Sequence, residues 1–125
     1  MQTSVLIATS DRSFSDALAA RLSFEGFSVV GTTTKRTETE GLVEANPGAI
    51  LIYDLNLSDC ALGSMTNIIW LKNRYPDLKI LGIGFHESIC DLKKLLQSCG
   101  FDDYWCKLEG LSDLLGKMRA FTPTN

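Results

Sequence analysis

The stretch Ala49-Ile-Leu-Ile-Tyr-Asp-Leu-Asn-Leu57 decides the fold. From Ala49 to Tyr53 it is an unbroken apolar run, bounded upstream by the turn signal Asn46-Pro47-Gly48. A short run of this kind marks a strand covered on both faces, as in the middle of a parallel sheet. Asp54 follows directly, which puts its carboxylate at the C-terminal end of that strand. Open parallel sheets carry their ligand sites at this end.

Working outward, similar short runs recur at Ser4 to Ala8, Phe27 to Gly31, Lys79 to Ile83 and Asp103 to Cys106. Stretches with apolar residues three and four apart separate them. Phe14, Leu18 and Leu22 mark the first helical face, which Ser13 and Asp16 open and Gly26 stops. A weaker second helix is opened by Thr37 and Glu40 and closed at Asn46. Met65, Ile68, Leu71 and Tyr75 trace a third, ended by Pro76. Ile89, Leu92, Leu96 and Cys99 trace a fourth, ended by Gly100. Leu111, Leu114, Leu115, Met118 and Phe121 trace the fifth, leaving Thr122 to Asn125 as a frayed tail. This alternation predicts a doubly wound, three-layer α/β sandwich of the flavodoxin-like type. Right-handed crossovers give it a five-stranded parallel sheet of order 2-1-3-4-5 with five helices.

The bulk numbers agree with one domain spanning residues 1–125. The chain is 45% hydrophobic and 22% charged, which are ordinary globular values. With a net charge of −3 and no basic run, it lacks the electrostatic footprint of a nucleic-acid or membrane-surface binder. No apolar run approaches the roughly 20 residues that span a bilayer. The N-terminus has no secretory pattern, so a cytoplasmic location is expected. Cys60, Cys90, Cys99 and Cys106 form no CxxC pair and read as reduced packing thiols.

Two motifs bring in a family. Asp54 between an apolar strand and Leu55-Asn-Leu57, and the segment Gly100-Phe-Asp-Asp-Tyr-Trp-Cys-Lys107, together resemble the receiver domain of two-component response regulators, the CheY-like fold. The resemblance runs from end to end. It implies that Asp54 stands at the phospho-acceptor position, Lys107 at the position of the invariant lysine and Tyr104 at that of the switch aromatic.

The departures fall where the family's chemistry sits. The two acidic residues that hold Mg²⁺ after the first strand are here Thr9 and Ser10. The hydroxyl residue that ends the fourth strand is Gly84, and the small residue beside it is Phe85. The proline after the lysine is Leu108, where a cis peptide would cost about 3 kcal/mol.

Moving a phosphoryl group onto a carboxylate gathers negative charge, which a divalent cation and a lysine must neutralise. Mg²⁺ is normally anchored by one or two carboxylates. Asp54 is the one matched acid here, and Asp11 reaches the metal only if the loop shifts by one residue. No cofactor is therefore expected beyond a weak Mg²⁺ site. The Asp54 and Lys107 pair has three readings, a structural ion pair, a usable phosphorylation site and no direct contact.

The leading expectation is a degenerate, or pseudo-, receiver that is not an enzyme. It would be an interaction module for a signalling protein, a histidine kinase or a downstream effector. The resemblance implies that binding uses the face of helix four, strand five and helix five, which also serves dimers of such domains. The alternative is a functioning phosphorelay receiver phosphorylated on Asp54. A distant third is a flavodoxin-like cofactor-binding protein holding phosphate at the turn Thr9-Ser-Asp-Arg-Ser13. His86 lacks metal-ligand partners at suitable spacing and reads as a loop residue. Thr32 to Arg36 read as a polar surface loop, and Trp70 and Trp105 as packing residues, with Trp105 close to the association face.

Overall fold

The computed structural model describes residues 2–57, 61–84, 94 and 97–121. Five strands, β1 (Ser4–Ala8), β2 (Ser28–Thr33), β3 (Ile50–Asp54), β4 (Lys79–Gly84) and β5 (Asp103–Cys106), form one parallel sheet in the order β2-β1-β3-β4-β5. The expected topology is the observed one. Helices α1 (Arg12–Phe24), α2 (Thr39–Ala45), α3 (Ala61–Arg74) and a C-terminal helix (Leu111–Ala120) flank the sheet. Among the described residues no helix is long and apolar enough to cross a membrane.

The apolar run of β3 is explained by the two cores it separates. Strand side chains alternate between faces. Leu51 and Tyr53 join Leu6, Ala8, Ile80 and Tyr104 on one side, packed against Ile68 and Leu71 of α3. Ile50 and Ile52 join Val5, Ile7, Leu81, Ile83 and Trp105 on the other, against α1 and the C-terminal helix. All five β3 side chains are buried. Each such aliphatic side chain contributes about 1.5–3 kcal/mol relative to exposure, so neither face tolerates a polar alternation.

Local chemistry moved several boundaries. Helix α1 is capped two residues before the Ser13 signal, because the Asp11 carboxylate accepts the Phe14 amide at 3.0 Å from an extended backbone. An aspartate at this place satisfies a free amide and also favours the positive end of the helix dipole. Strand β2 runs on to Thr33, with Thr32 and Thr33 paired to Ile7 and Ala8 of β1. The expected polar loop therefore begins later. The Thr33 hydroxyl is buried, accepts from the Lys35 amide at 3.0 Å and donates to Glu38 Oε1 at 2.7 Å. A 3-10 turn, Arg36–Glu38, precedes α2, so Thr37 lies inside that turn and caps nothing.

Gly82 and Gly100 illustrate two different needs for glycine. A Cβ on Gly82 would lie 2.8 Å from Phe101 Cδ1, so the ring packs directly on the backbone of β4. Gly100 has φ +120 and leads from the helical residues 97–99 towards β5. The fourth-helix markers Ile89, Leu92 and Leu96 lie outside the described residues, as do Phe85, His86, Cys60, Cys90 and the tail from Thr122. Cys99 and Cys106 are free and buried, and burial pushes the Cys99 thiol pKa up.

Candidate functional site

Three strand ends meet at Asp54. Leu55 N donates to Ile83 O at 2.9 Å and Leu57 N to Asp54 O at 2.9 Å, so the chain turns sharply as it leaves β3. The same turn brings Asn56 N to Asp54 Oδ1 at 2.9 Å. Lys107 N donates to Gly84 O at 2.7 Å and fixes the end of β5 beside β4. Thr9 N donates to Thr33 O at 3.1 Å and fixes the end of β1 beside β2. Thr9 and Lys107 thus reach Asp54 from opposite sides.

The carboxylate is 1% exposed and well partnered. Its Oδ2 accepts from Thr9 Oγ1 at 2.7 Å and from Lys107 Nζ at 2.8 Å, and its Oδ1 accepts from Asn56 N at 2.9 Å. A buried carboxylate is strongly destabilising unless charge-paired and hydrogen-bonded. Here the ammonium supplies the charge, and a hydroxyl and an amide occupy further lone pairs. Lys107 also lies 5.0 Å from the centroid of the Phe14 ring, within cation–π range. The Lys107–Leu108 peptide is trans, since no cis bond occurs among the described residues.

The other positions named from sequence fall as follows. Thr9 is fully buried and faces the carboxylate, whereas Ser10 is exposed in the turn. Asp11 is the α1 cap, its carboxylate on the Phe14 amide and its own amide 3.3 Å from Thr9 Oγ1. In this structure the Asp11 carboxylate serves the helix cap. Gly84 carries no hydroxyl, and a Cβ there would lie 3.2 Å from Leu55 Cδ1. A larger residue there would need the Leu55 side chain to give by a few tenths of an ångström. Phe85 lies outside the described residues.

Mg²⁺, which the family pattern implies, does not fit this donor set. Asp54 is the one carboxylate at the centre, Thr9 presents a neutral hydroxyl to it, and the described residues hold no cluster of three His, Cys, Asp or Glu side chains suited to a metal.

Tyr104 and Trp105 point to opposite faces of β5. Tyr104 is 5% exposed and packs against Phe101, with ring centroids 6.1 Å apart. Burial, reinforced by the charge of Asp103, pushes its phenol pKa up to about 12. Trp105 is core, its indole donating to Gly110 O at 3.2 Å and its ring stacked on Phe14 at 6.4 Å. Trp70, by contrast, is 45% exposed on α3. The sequence reading missed Phe14 as a neighbour of Lys107. Its helical spacing had marked it only as core, and nothing in a periodicity tells which end of a sheet a ring reaches.

Comparison with family models and with curated protein sequences finds no match. Solved structures do match. A receiver domain protein (CheY-like) from Methanospirillum hungatei JF-1 superposes with a TM-score of 0.81 at 21% identity, covering 96% of this chain and 93% of that one. The receiver domain of NtrX from Brucella abortus gives 0.82 at 18% identity, with 97% and 99% covered. A two-component response regulator from Clostridium difficile gives 0.78 at 24% identity, with 96% and 95% covered. Over almost its whole length, then, this chain has the fold of the response-regulator receiver domains.

Proposed function

We propose that this chain is a receiver-type protein-interaction module in signal transduction whose Asp54 acts as a structural anion rather than as an efficient Mg²⁺-dependent phospho-acceptor. The observation that carries this reading is the Thr9 hydroxyl 2.7 Å from Asp54 Oδ2, on the side where the resemblance calls for acidic metal ligands. A neutral hydroxyl satisfies the carboxylate but brings no cation to offset the charge of an incoming phosphoryl group. Lys107 alone supplies that charge, and Gly84 offers no hydroxyl through which a phosphorylated state would be sensed.

The binding face would be the fourth helix, β5 and the C-terminal helix, and its partner a histidine kinase, a downstream effector or a second copy of the chain. Such a role needs no reaction of its own. Leu108, 74% exposed beside β5, is an apolar contact available to that face. One observation favours the competing phosphorelay reading: Asp54 and Lys107 stand 2.8 Å apart at the strand ends, the two groups such a reaction needs most. The flavodoxin-like reading has less in its favour, because the Thr9 hydroxyl is committed to Asp54 and the Asp11 carboxylate to the Phe14 amide.

Intact-mass analysis after incubation with acetyl phosphate, with and without Mg²⁺, separates the first two. The expected result is an unchanged mass. A Mg²⁺-dependent gain of one phosphoryl group that disappears in Asp54→Asn would establish the phosphorelay receiver instead.

A further inference from the structure

We infer that Phe14 and Trp105 form a relay that links the Asp54–Lys107 ion pair to the surface loop between β5 and the C-terminal helix. The chain of contacts is continuous. Lys107 Nζ lies 2.8 Å from Asp54 Oδ2 and 5.0 Å from the centre of the Phe14 ring. The Phe14 ring stacks on Trp105 at 6.4 Å with only 17° between the planes. The Trp105 indole N–H then donates to Gly110 O at 3.2 Å, in the loop that carries the exposed Leu108 and leads into the C-terminal helix.

Each link has a direction. The ammonium is attracted to the face of Phe14 and so holds the ring where it meets Trp105. The stack in turn fixes the indole, a buried group that must keep its hydrogen-bond partner. If Lys107 leaves Asp54, Phe14 loses its cation and the indole its fixed neighbour, and the hold on Gly110 loosens. This route runs on the α1 face of the sheet. Tyr104 is on the other face, in the core that also contains Phe101 and Tyr53. The relay therefore needs neither a hydroxyl at position 84 nor movement of Tyr104, and it operates whether or not Asp54 accepts a phosphoryl group.

Spatial continuity becomes coupling only when a double-mutant cycle shows it. The chain has two tryptophans, so a ¹⁵N-tryptophan sample gives two indole signals, and Trp70→Phe assigns them. Lys107→Met is expected to move the Trp105 indole resonance and to speed amide exchange of residues 108–110 roughly fivefold. In a Phe14→Leu background the same Lys107 change should leave the indole where it is, and Phe14→Tyr, which keeps an aromatic face, should restore the response. A resonance and loop exchange indifferent to Lys107→Met, or a response that persists without the Phe14 ring, would overturn the relay. If Lys107→Met does not fold, Asp54→Asn disturbs the same pair from the other side and the same readings decide.

Discussion

Two lysine–aspartate pairs of almost equal length hold opposite ends of the sheet, and they are very different objects. At the C-terminal end, Lys107 and Asp54 are 2.8 Å apart with side chains 14% and 2% exposed. At the other end, Lys72 of α3 and Asp102 are 2.9 Å apart with side chains 19% and 24% exposed. Asp102 also accepts from Ile80 N at 2.8 Å, and Lys72 also donates to Leu78 O, so this pair ties α3 to the start of β4. Distance alone ranks the two as equals. Burial does not, because water can replace a lost partner at Asp102 but not at Asp54.

The largest effect should follow from removing the buried cation. Lys107→Met leaves Asp54 uncompensated and is expected to cost about 3–5 kcal/mol in urea unfolding. Adding Asp54→Asn should recover most of that loss, and a loss unchanged in the double variant would mean that packing of the lysine stem, rather than charge, is what matters. Next comes Thr9→Val, which keeps the shape but strips one donor from Asp54 Oδ2. A cost of about 1–3 kcal/mol is expected from the same measurement, and a neutral result would remove the hydroxyl from the account of the site.

Smaller still is Lys72→Met, expected at about 1 kcal/mol and reduced in high salt because the pair is partly solvated. A loss as large as that of Lys107→Met would collapse the distinction between the two ends.

Tyr104 sharpens the comparison by a different measurement. Burial is the main cause of its raised pKa, and Asp103 and Asp102 add charge that raises it further. Its folded pKa of about 12 exceeds the ordinary value of 10.0, so the folded state holds this proton more tightly than the unfolded one. The resulting stabilisation is complete below pH 10 and is lost as pH rises through about 12. Ultraviolet titration should show one fewer late-ionising phenol in Tyr104→Phe than in the wild type. Coincident titration of all the tyrosines would show that the ring is solvated.

The layers of this molecule were legible in its sequence to different depths. The run from Ala49 to Tyr53 could be read directly, because a strand buried on both faces favours apolar residues at successive positions. So could β1 and β5, whose ends match the expected ones residue for residue. Capping was harder. Ser13 and Asp11 both carry side chains that cap helices, and only the extended backbone at Asp11 decided between them.

By itself, the sequence determined the order of the strands, the place of Asp54 at the tip of the central one, and the absence of acidic residues at positions 9 and 10. The last two follow from periodicity and residue type, which act locally along the chain, and the first from the handedness of the crossovers that join such strands. Tertiary structure alone decided that Thr9 donates to the carboxylate, that Leu55 lies beside Gly84, and that Phe14 lies over Lys107. Those contacts join side chains whose partners lie far apart in sequence or across a turn. Their geometry depends on how strand ends and helix ends are brought together, which no local pattern records.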